Sequence, residues 1–386
     1  MLHRVRSSFV RSFSTGRMLP QVKPDPHFSS GPCKKHPGWR VEDLPMDTAG
    51  RSHRSSLCSA RLKEAIDRTK DLLEIPADYR VAIVPASDTG AMEMAMWNLL
   101  GSRPIDGCYW ESFGLDWFKD MKKELRLENV VEHSADYGHL PDLSKTNPNH
   151  DIVFTLNGTT SGVRVPDLNW ISTERTGLTL CDATSGIMSM PVDWSKLDVT
   201  TFSWQKVTGG EGAHGMLVLS PRVFDRLKSH PPSRALPKIF RIDANPASKL
   251  YEGATINTPS MICVEDYLSA LRWAESIGGL PELIARSQRN FDAIDTFVKE
   301  RDWIDFLAVS PETRSTTSVC LTLKDSFDGK KVDPKSIQKL LDQEGVAYDI
   351  GAYKNAPPGL RIWCGATVDS ADVKALTEWL DWAVAK

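Results

Sequence analysis

Long hydrophobic runs are missing from this 386-residue sequence. No segment reaches the roughly 18 apolar residues that a membrane-spanning helix needs, so no such helix and no membrane partner are expected. Paired cysteines are missing too. The seven, at 33, 58, 108, 181, 263, 320 and 364, are scattered, odd in number and free of any C-x-x-C spacing. That pattern argues against a disulfide framework or a structural zinc site, and no metal is expected. A surplus of positive charge is also absent: 47 Lys and Arg stand against 50 Asp and Glu, a formal net charge of −3. Nucleic acid is therefore not an expected partner. With 41% hydrophobic and 25% charged residues, the composition is that of a folded chain.

One absence is local. Residues 1–24 contain no Asp or Glu, while Arg4, Arg6, Arg11, Arg17 and Lys23 are interleaved with serines and with Leu2, Val5, Phe9, Val10 and Phe13. Arginine-rich, serine-rich and acid-free is the composition of an organelle transit segment. The expectation is a removed or disordered leader over 1–23 and a place in the mitochondrial matrix, with plastid or cytoplasm as alternatives. Residues 24–54, rich in Pro, Gly, Ser and His, read as an irregular segment.

Beyond residue 55 hydrophobic periodicity takes over. Leu57, Leu62, Ile66, Leu72 and Leu73 predict an amphipathic helix over 56–75. Strand-like apolar runs at 80–85, 106–110, 151–156, 178–181, 199–202 and 216–219 alternate with helical patterns at 90–100 and 113–125. The fold class this predicts is α/β. A large domain over 55–258 carries a mostly parallel sheet covered by helices, and linking helices after Pro259 and Pro281 lead into a smaller α/β domain within 259–386. The final stretch reads strand, strand, helix, strand, strand, helix.

Four features fall at predicted strand ends, where open α/β sheets place their ligands. Asp88 and Thr89 follow a strand and open a helix, whose free N–H groups and dipole suit an anion; equally, they are ordinary cap residues. Asp182 ends a strand, and a buried carboxylate there needs an arginine, a metal or a protonated cofactor ring, unless it only caps the next turn. Lys206, in SWQKVTGGEGAHG, begins a glycine-rich turn. In a dry cleft its amine is nucleophilic and able to form a Schiff base, whereas at the surface it is a solvated cation. Trp110, in YWESFG, offers a flat face to a planar ring or fills the core. Jointly, a lysine, a carboxylate, an anion-binding helix start and an aromatic are the parts that pyridoxal 5'-phosphate requires.

These residues, with the stretches HFSSGPCKKHPGW, SHRS, INTPS and APPGLRIWCGAT, make the chain similar to the class V aminotransferases of the fold-type I pyridoxal-phosphate enzymes, and within them to the phosphoserine aminotransferase family. The resemblance implies transfer of an amino group from glutamate to 3-phosphohydroxypyruvate. It implies Lys206 as the Schiff-base lysine, Asp182 as partner of the ring nitrogen and Trp110 as the stacking aromatic. Thr159 would bond the cofactor hydroxyl, and Asp88, Thr89 and Gln205 would surround its phosphate. Asn257 and Thr258 would reach the cofactor of a second subunit, hence a homodimer. On the substrate side it implies Arg361 at the α-carboxylate, with Ser29, His53, Arg54 and Lys354 at the substrate phosphate. The chain departs from many relatives at ASDTG, where they carry a glycine-rich turn with an arginine. It departs again at Lys354 and Asn355, where they carry His-Arg. A different class V aminotransferase, acting on glyoxylate for instance, and a non-catalytic binding descendant are the alternative readings.

Overall fold

In the computed structural model, which describes residues 18–386, irregular backbone leads to α1 (Ser56–Leu72). The Ser55 hydroxyl accepts a hydrogen bond from the Cys58 amide and so caps the helix start. Next come β1 (Arg80–Pro85), α2 (Ser87–Leu99), β2 (Ile105–Tyr109), α3 (Ser112–Lys119), β3 (Val130–Ser134) and β4 (Asp151–Thr155). A short hairpin, β5 (Asn157–Gly158) and β6 (Val163–Arg164), precedes β7 (Thr179–Asp182), β8 (Val199–Ser203) and β9 (His214–Leu219). The helices α4 (Pro221–Ser229), α5 (Met261–Ser276) and α6 (Gly279–Lys299) lead to β10 (Ile304–Phe306) and β11 (Ser318–Leu323). A second hairpin, β12 (Ser326–Phe327) and β13 (Lys330–Lys331), is followed by α7 (Pro334–Gln343), β14 (Leu360–Trp363) and α8 (Ser370–Val384).

Seven strands form one sheet in the order β1-β9-β8-β7-β4-β2-β3. All neighbours are parallel except β9, which runs against both β1 and β8. The carboxyl ends of β1, β2, β4, β7 and β8 therefore share one edge. Strand alternation divides the core between the two faces. Val81, Ile83, Ile152, Phe154, Met216 and Val218 point into the cluster containing α1 and α5. Ala82, Val84, Val153, Leu217 and Leu219 point into the opposite cluster, with α2 and α4. Sandwiched this way, α2 buries residues around most of its circumference, including Met92, Met94 and Met96. A second, antiparallel sheet of order β10-β11-β14 packs beside α6, α7 and α8.

The expected α/β class is what the structure shows, with local differences. β3 was not expected: its residues are mostly exposed, so it has no apolar run to betray it, and it is held by parallel pairing to β2. The helix expected over 113–125 is α-helical only to Lys119, then widens into a π-helical turn over Asp120–Glu124. Between α7 and α8 the sequence predicts two strands, and only β14 forms. Val346, Ala347 and Ile350 are buried there, but Asp349 takes a positive φ of 55° and breaks the extended path.

The amino-terminal segment is a strap across both sheets. Phe28 is fully buried and its carbonyl accepts the Trp363 amide at 3.0 Å. The Tyr348 amide donates to Pro26 O and the Cys33 amide to Gln205 O, each at 2.8 Å.

His214, at the start of β9, lies 4.7 Å from the ring of Trp204, and its Nε2 accepts the Ser260 amide at 3.2 Å. Burial pulls its pKa from 6.5 down to about 4, so the fold favours neutral imidazole. Its contribution is fully present above about pH 6.5 and is lost as pH falls through about 4, a loss of about 3 kcal/mol. Urea unfolding across that window should show the acid loss in wild type and a smaller one in His214→Gln.

Candidate active site

The shared carboxyl edge of the large sheet encloses a cavity of about 300 Å³. Strand ends supply Thr155 from β4 and Asp182 from β7, and the turn after β8 supplies Gln205 and Lys206. The start of α2 contributes Ser87, Asp88 and Thr89, and the segment after β2 contributes Glu111, Phe113 and Trp117. Asn157 and Thr159 close it from the β5–β6 hairpin, and Gly31 and Pro32 from the strap. A larger, open groove of about 900 Å³ runs along α1 and the α5–α6 turn. It holds none of the strand-end residues, and its charges, such as Glu64 and Arg68, are ion-paired with one another, so the chemistry belongs to the smaller cavity.

Asp182 is 8% exposed and fixed from two sides. Trp117 Nε1 donates to Oδ2 at 3.1 Å, and the Thr184 amide donates to Oδ1 at 3.0 Å. Lys206 Nζ donates to the Ser30 carbonyl. Burial draws its ammonium below the usual lysine value, and the nearby Arg361 guanidinium acts in the same direction. A neutral amine is thus accessible in the cavity. The strap accommodates this amine because residue 31 is glycine: a Cβ there would lie 2.5 Å from Nζ, and φ is 152°.

Asp88 is 6% exposed, and burial together with the neighbouring Asp182 carboxylate holds its carboxyl well above the usual range. Glu111 caps α3: Oε1 accepts the Gly114 amide and Oε2 the Thr160 hydroxyl, both at 2.7 Å. Burial pushes its pKa up to about 7. Ala86 and Ser87, entering α2, have φ of 66° and 55°, a strained left-handed entry to the turn whose residues Ser87, Asp88 and Thr89 line the cavity.

Several polar atoms in the wall have no hydrogen-bond partner although buried: Asp88 Oδ1, Thr155 Oγ1, Thr184 Oγ1 and Gln205 Oε1. Such atoms are costly unless something polar fills the space between them. An amine, an opposed carboxylate and a helix start around such a cavity fit pyridoxal phosphate.

Of the sequence candidates, Lys206, Asp182, Asp88, Thr89, Thr159 and Gln205 meet at this cavity. Thr159 Oγ1 donates to Ser185 Oγ at 2.7 Å. Trp110 does not reach it. The residue is 1% exposed, and its indole N–H is committed to the Val163 carbonyl at 2.9 Å behind the wall. The aromatic side chains lining the cavity are Phe113 and Trp117 instead. Asp88 also sits differently than expected, its side chain beside Asp182, Thr184 and Thr201.

Arg361 is not among the lining residues of the cavity but lies near enough to Lys206 for its charge to act on that amine. Its guanidinium carbon is 5.7 Å from the Tyr353 ring, which packs against Phe113 with centroids 5.4 Å apart. Lys354 is exposed beside the same ring, at 5.7 Å. Ser29 accepts the Gly31 amide at 3.3 Å, one residue removed from the wall. His53, Arg54, Asn257 and Thr258 lie outside this cavity, the last three exposed. Glu111, Phe113, Trp117, Thr155 and Thr184 were not singled out from the sequence. Position two after the strand-end Asp182 was the available signal for Thr184, and the strand end itself for Thr155.

The family model for class V aminotransferases matches residues 136–360. The chain is 54% identical to the phosphoserine aminotransferase of Methanosarcina barkeri over 94% of its own length and 98% of that protein. It is 52% identical to that of Methanosarcina mazei with the same coverage. Among solved structures it is similar to a phosphoserine aminotransferase from Cytophaga hutchinsonii, with a TM-score of 0.82 at 23% identity, covering 94% of this chain and 99% of the other. The expected mitochondrial location is contradicted: the Methanosarcina relatives come from archaea, cells without mitochondria. Residues 1–17, on which most of that expectation rested, lie outside the described residues. On identity and coverage together, the chain belongs to the class V aminotransferases, among the phosphoserine aminotransferases.

Proposed function

We propose that the chain transfers the amino group of glutamate to 3-phosphohydroxypyruvate, giving O-phosphoserine and 2-oxoglutarate, as a homodimer loaded with pyridoxal phosphate. The observation that carries this is the meeting of Lys206 and Asp182, from the ends of neighbouring strands, in one buried cavity with unpartnered polar walls. The names of the Methanosarcina relatives supply the substrate class.

In this reading Lys206 Nζ holds the cofactor. Asp182 would face its ring nitrogen, Thr159 would take its hydroxyl, and the start of α2 with Gln205 would take its phosphate. Phe113 and Trp117 offer the aromatic wall that Trp110 does not. Bound pyridoxal phosphate supplies an electron sink conjugated to the substrate α-carbon. The chain does the rest. Lys206 Nζ, kept neutral by the dry cavity, takes the α-proton and returns it. Trp117 and the Thr184 amide stop Asp182 from turning away. Arg361 forks onto the substrate α-carboxylate. A second copy supports the substrate-phosphate and cofactor-phosphate sides, since His53, Arg54, Asn257 and Thr258 all lie outside the cavity of their own chain. Lys354 adds positive charge beside Tyr353.

Competing acceptors test the substrate. We expect kcat/KM for 3-phosphohydroxypyruvate to exceed that for hydroxypyruvate, glyoxylate or pyruvate by about a hundredfold, because a site built around an anion leaves its cations unpaired without one. Equal rates would transfer the chain to another class V activity.

A further inference from the structure

We propose that Asp88 is a positioning residue for Asp182, its carboxyl group donating a hydrogen bond to the carboxylate that faces the cofactor ring nitrogen. This rests on the pyridoxal-phosphate site described above and assigns a role to a residue that the resemblance had placed at the phosphate. Asp88 stands on the first turn of α2 and Asp182 at the end of β7, and both line the same cavity. Each is more than nine-tenths buried. Asp88 Oδ1 has no partner, and its neighbours at that wall are Asp182, Thr184 and Thr201.

Two carboxyl groups side by side in a dry wall cannot both carry charge without a cation between them. The other titratable groups around the pair are Lys206 and Glu111 on the cavity wall and the thiol of Cys181 next to Asp182. Lys206 Nζ is turned to the Ser30 carbonyl, and Glu111 adds a further acid. The pair therefore keeps one proton. Asp182 already accepts two N–H donors, from Trp117 and Thr184, and faces the ring nitrogen in the proposed function, so the proton resides on Asp88. The burial and the Asp182 charge that raise the Asp88 carboxyl agree with that placement. The donated bond completes a three-sided clamp on Asp182. It also keeps the site from holding two anions against a single ring cation. A helix-capping role alone does not account for the arrangement, because the cap position of α2 is held by Ala86 and the buried Asp88 Oδ1 accepts no bond among the described residues.

The test uses the apoprotein and the loaded enzyme of wild type, Asp88→Asn and Asp88→Leu. Infrared difference spectra of the apoprotein, wild type against Asp88→Asn, should show the carbonyl band of a protonated carboxylic acid at neutral pH, missing in the variant. Asparagine keeps a donor toward Asp182 and leucine does not. Cofactor affinity, followed by visible absorption, is therefore expected to fall by less than about threefold in Asp88→Asn and by about tenfold or more in Asp88→Leu. Absence of the band, or equal losses in both variants, would overturn the assignment. The infrared comparison needs no leucine variant, so it decides the matter even if Asp88→Leu fails to fold. Failure to bind pyridoxal phosphate at all would defeat the proposed function, whereas the apoprotein band judges the carboxyl pair alone.

Discussion

Lys206→Ala is expected to lose turnover by about a thousandfold or more, together with the visible absorption that bound cofactor gains from its link to the lysine. The size of the effect follows from the two tasks the proposed function gives the amine: it would attach the cofactor, and it would carry the substrate α-proton. Among the described residues no other lysine lines the cavity, so none of these neighbours can substitute. The fold should survive. Alanine removes a long side chain from a cavity that is already open, and the fixed contact it gives up is the one to the Ser30 carbonyl. Circular dichroism and unfolding midpoints close to wild type would therefore accompany the lost activity. Partial rescue by a small primary amine would assign the proton transfer to the missing Nζ. A coloured, active Lys206→Ala protein would refute the site.

Asp182→Asn should lower kcat by about a hundredfold to a thousandfold while changing KM much less, because the carboxylate acts on charge that develops during the reaction and not on bound substrate. Asparagine retains an oxygen for the Thr184 amide but turns an N–H₂ toward either Trp117 or the ring nitrogen. Asp182→Ala should be worse in a second way. It strands the Trp117 indole N–H and the Thr184 amide inside the protein, at about 1–3 kcal/mol for each unsatisfied donor. Steady-state kinetics at saturating donor and acceptor, paired with thermal unfolding, separate the two effects. A KM change as large as the kcat change in the asparagine variant would move Asp182 from the reacting centre to the substrate pocket.

Much of this site could be read from the sequence because strand ends are legible. RVAIVP, LTLCD and VTTFS are short apolar runs broken by polar residues, and a buried parallel sheet leaves nowhere else for Asp182 and Lys206 to lie than on its carboxyl edge. Side-chain direction is harder. Trp110 and Glu111 are adjacent, and which of the two faces the cavity depends on the backbone leaving β2. There Glu111 adopts the extended conformation of an N-cap, its carboxylate lining the cavity, while the indole turns toward Val163. Asp88 sits differently than expected for a similar reason: its position at the helix start suggested a phosphate, while its side chain lies beside β8 and β7, two and three strands away from β1 across the sheet. The edge strand β3 escaped because exposed strands need no hydrophobic pattern. The leader-like composition of residues 1–24 misled because it describes charge and polarity, and those do not identify a compartment.

The strap at residues 26–33 ties the beginning of the chain to its end. Phe28 is hydrogen-bonded to Trp363, while Ser30, Gly31 and Cys33 close around Lys206 and Gln205. During synthesis the first of these segments leaves the ribosome long before the last, and a contact spanning that much chain forms late. Lys206 thus acquires its final surroundings only once the carboxyl-terminal strand has emerged. A chain that ended before β14 would keep every strand of the large sheet yet lack the amide that holds Phe28, and the strap over Lys206 would lose its anchor.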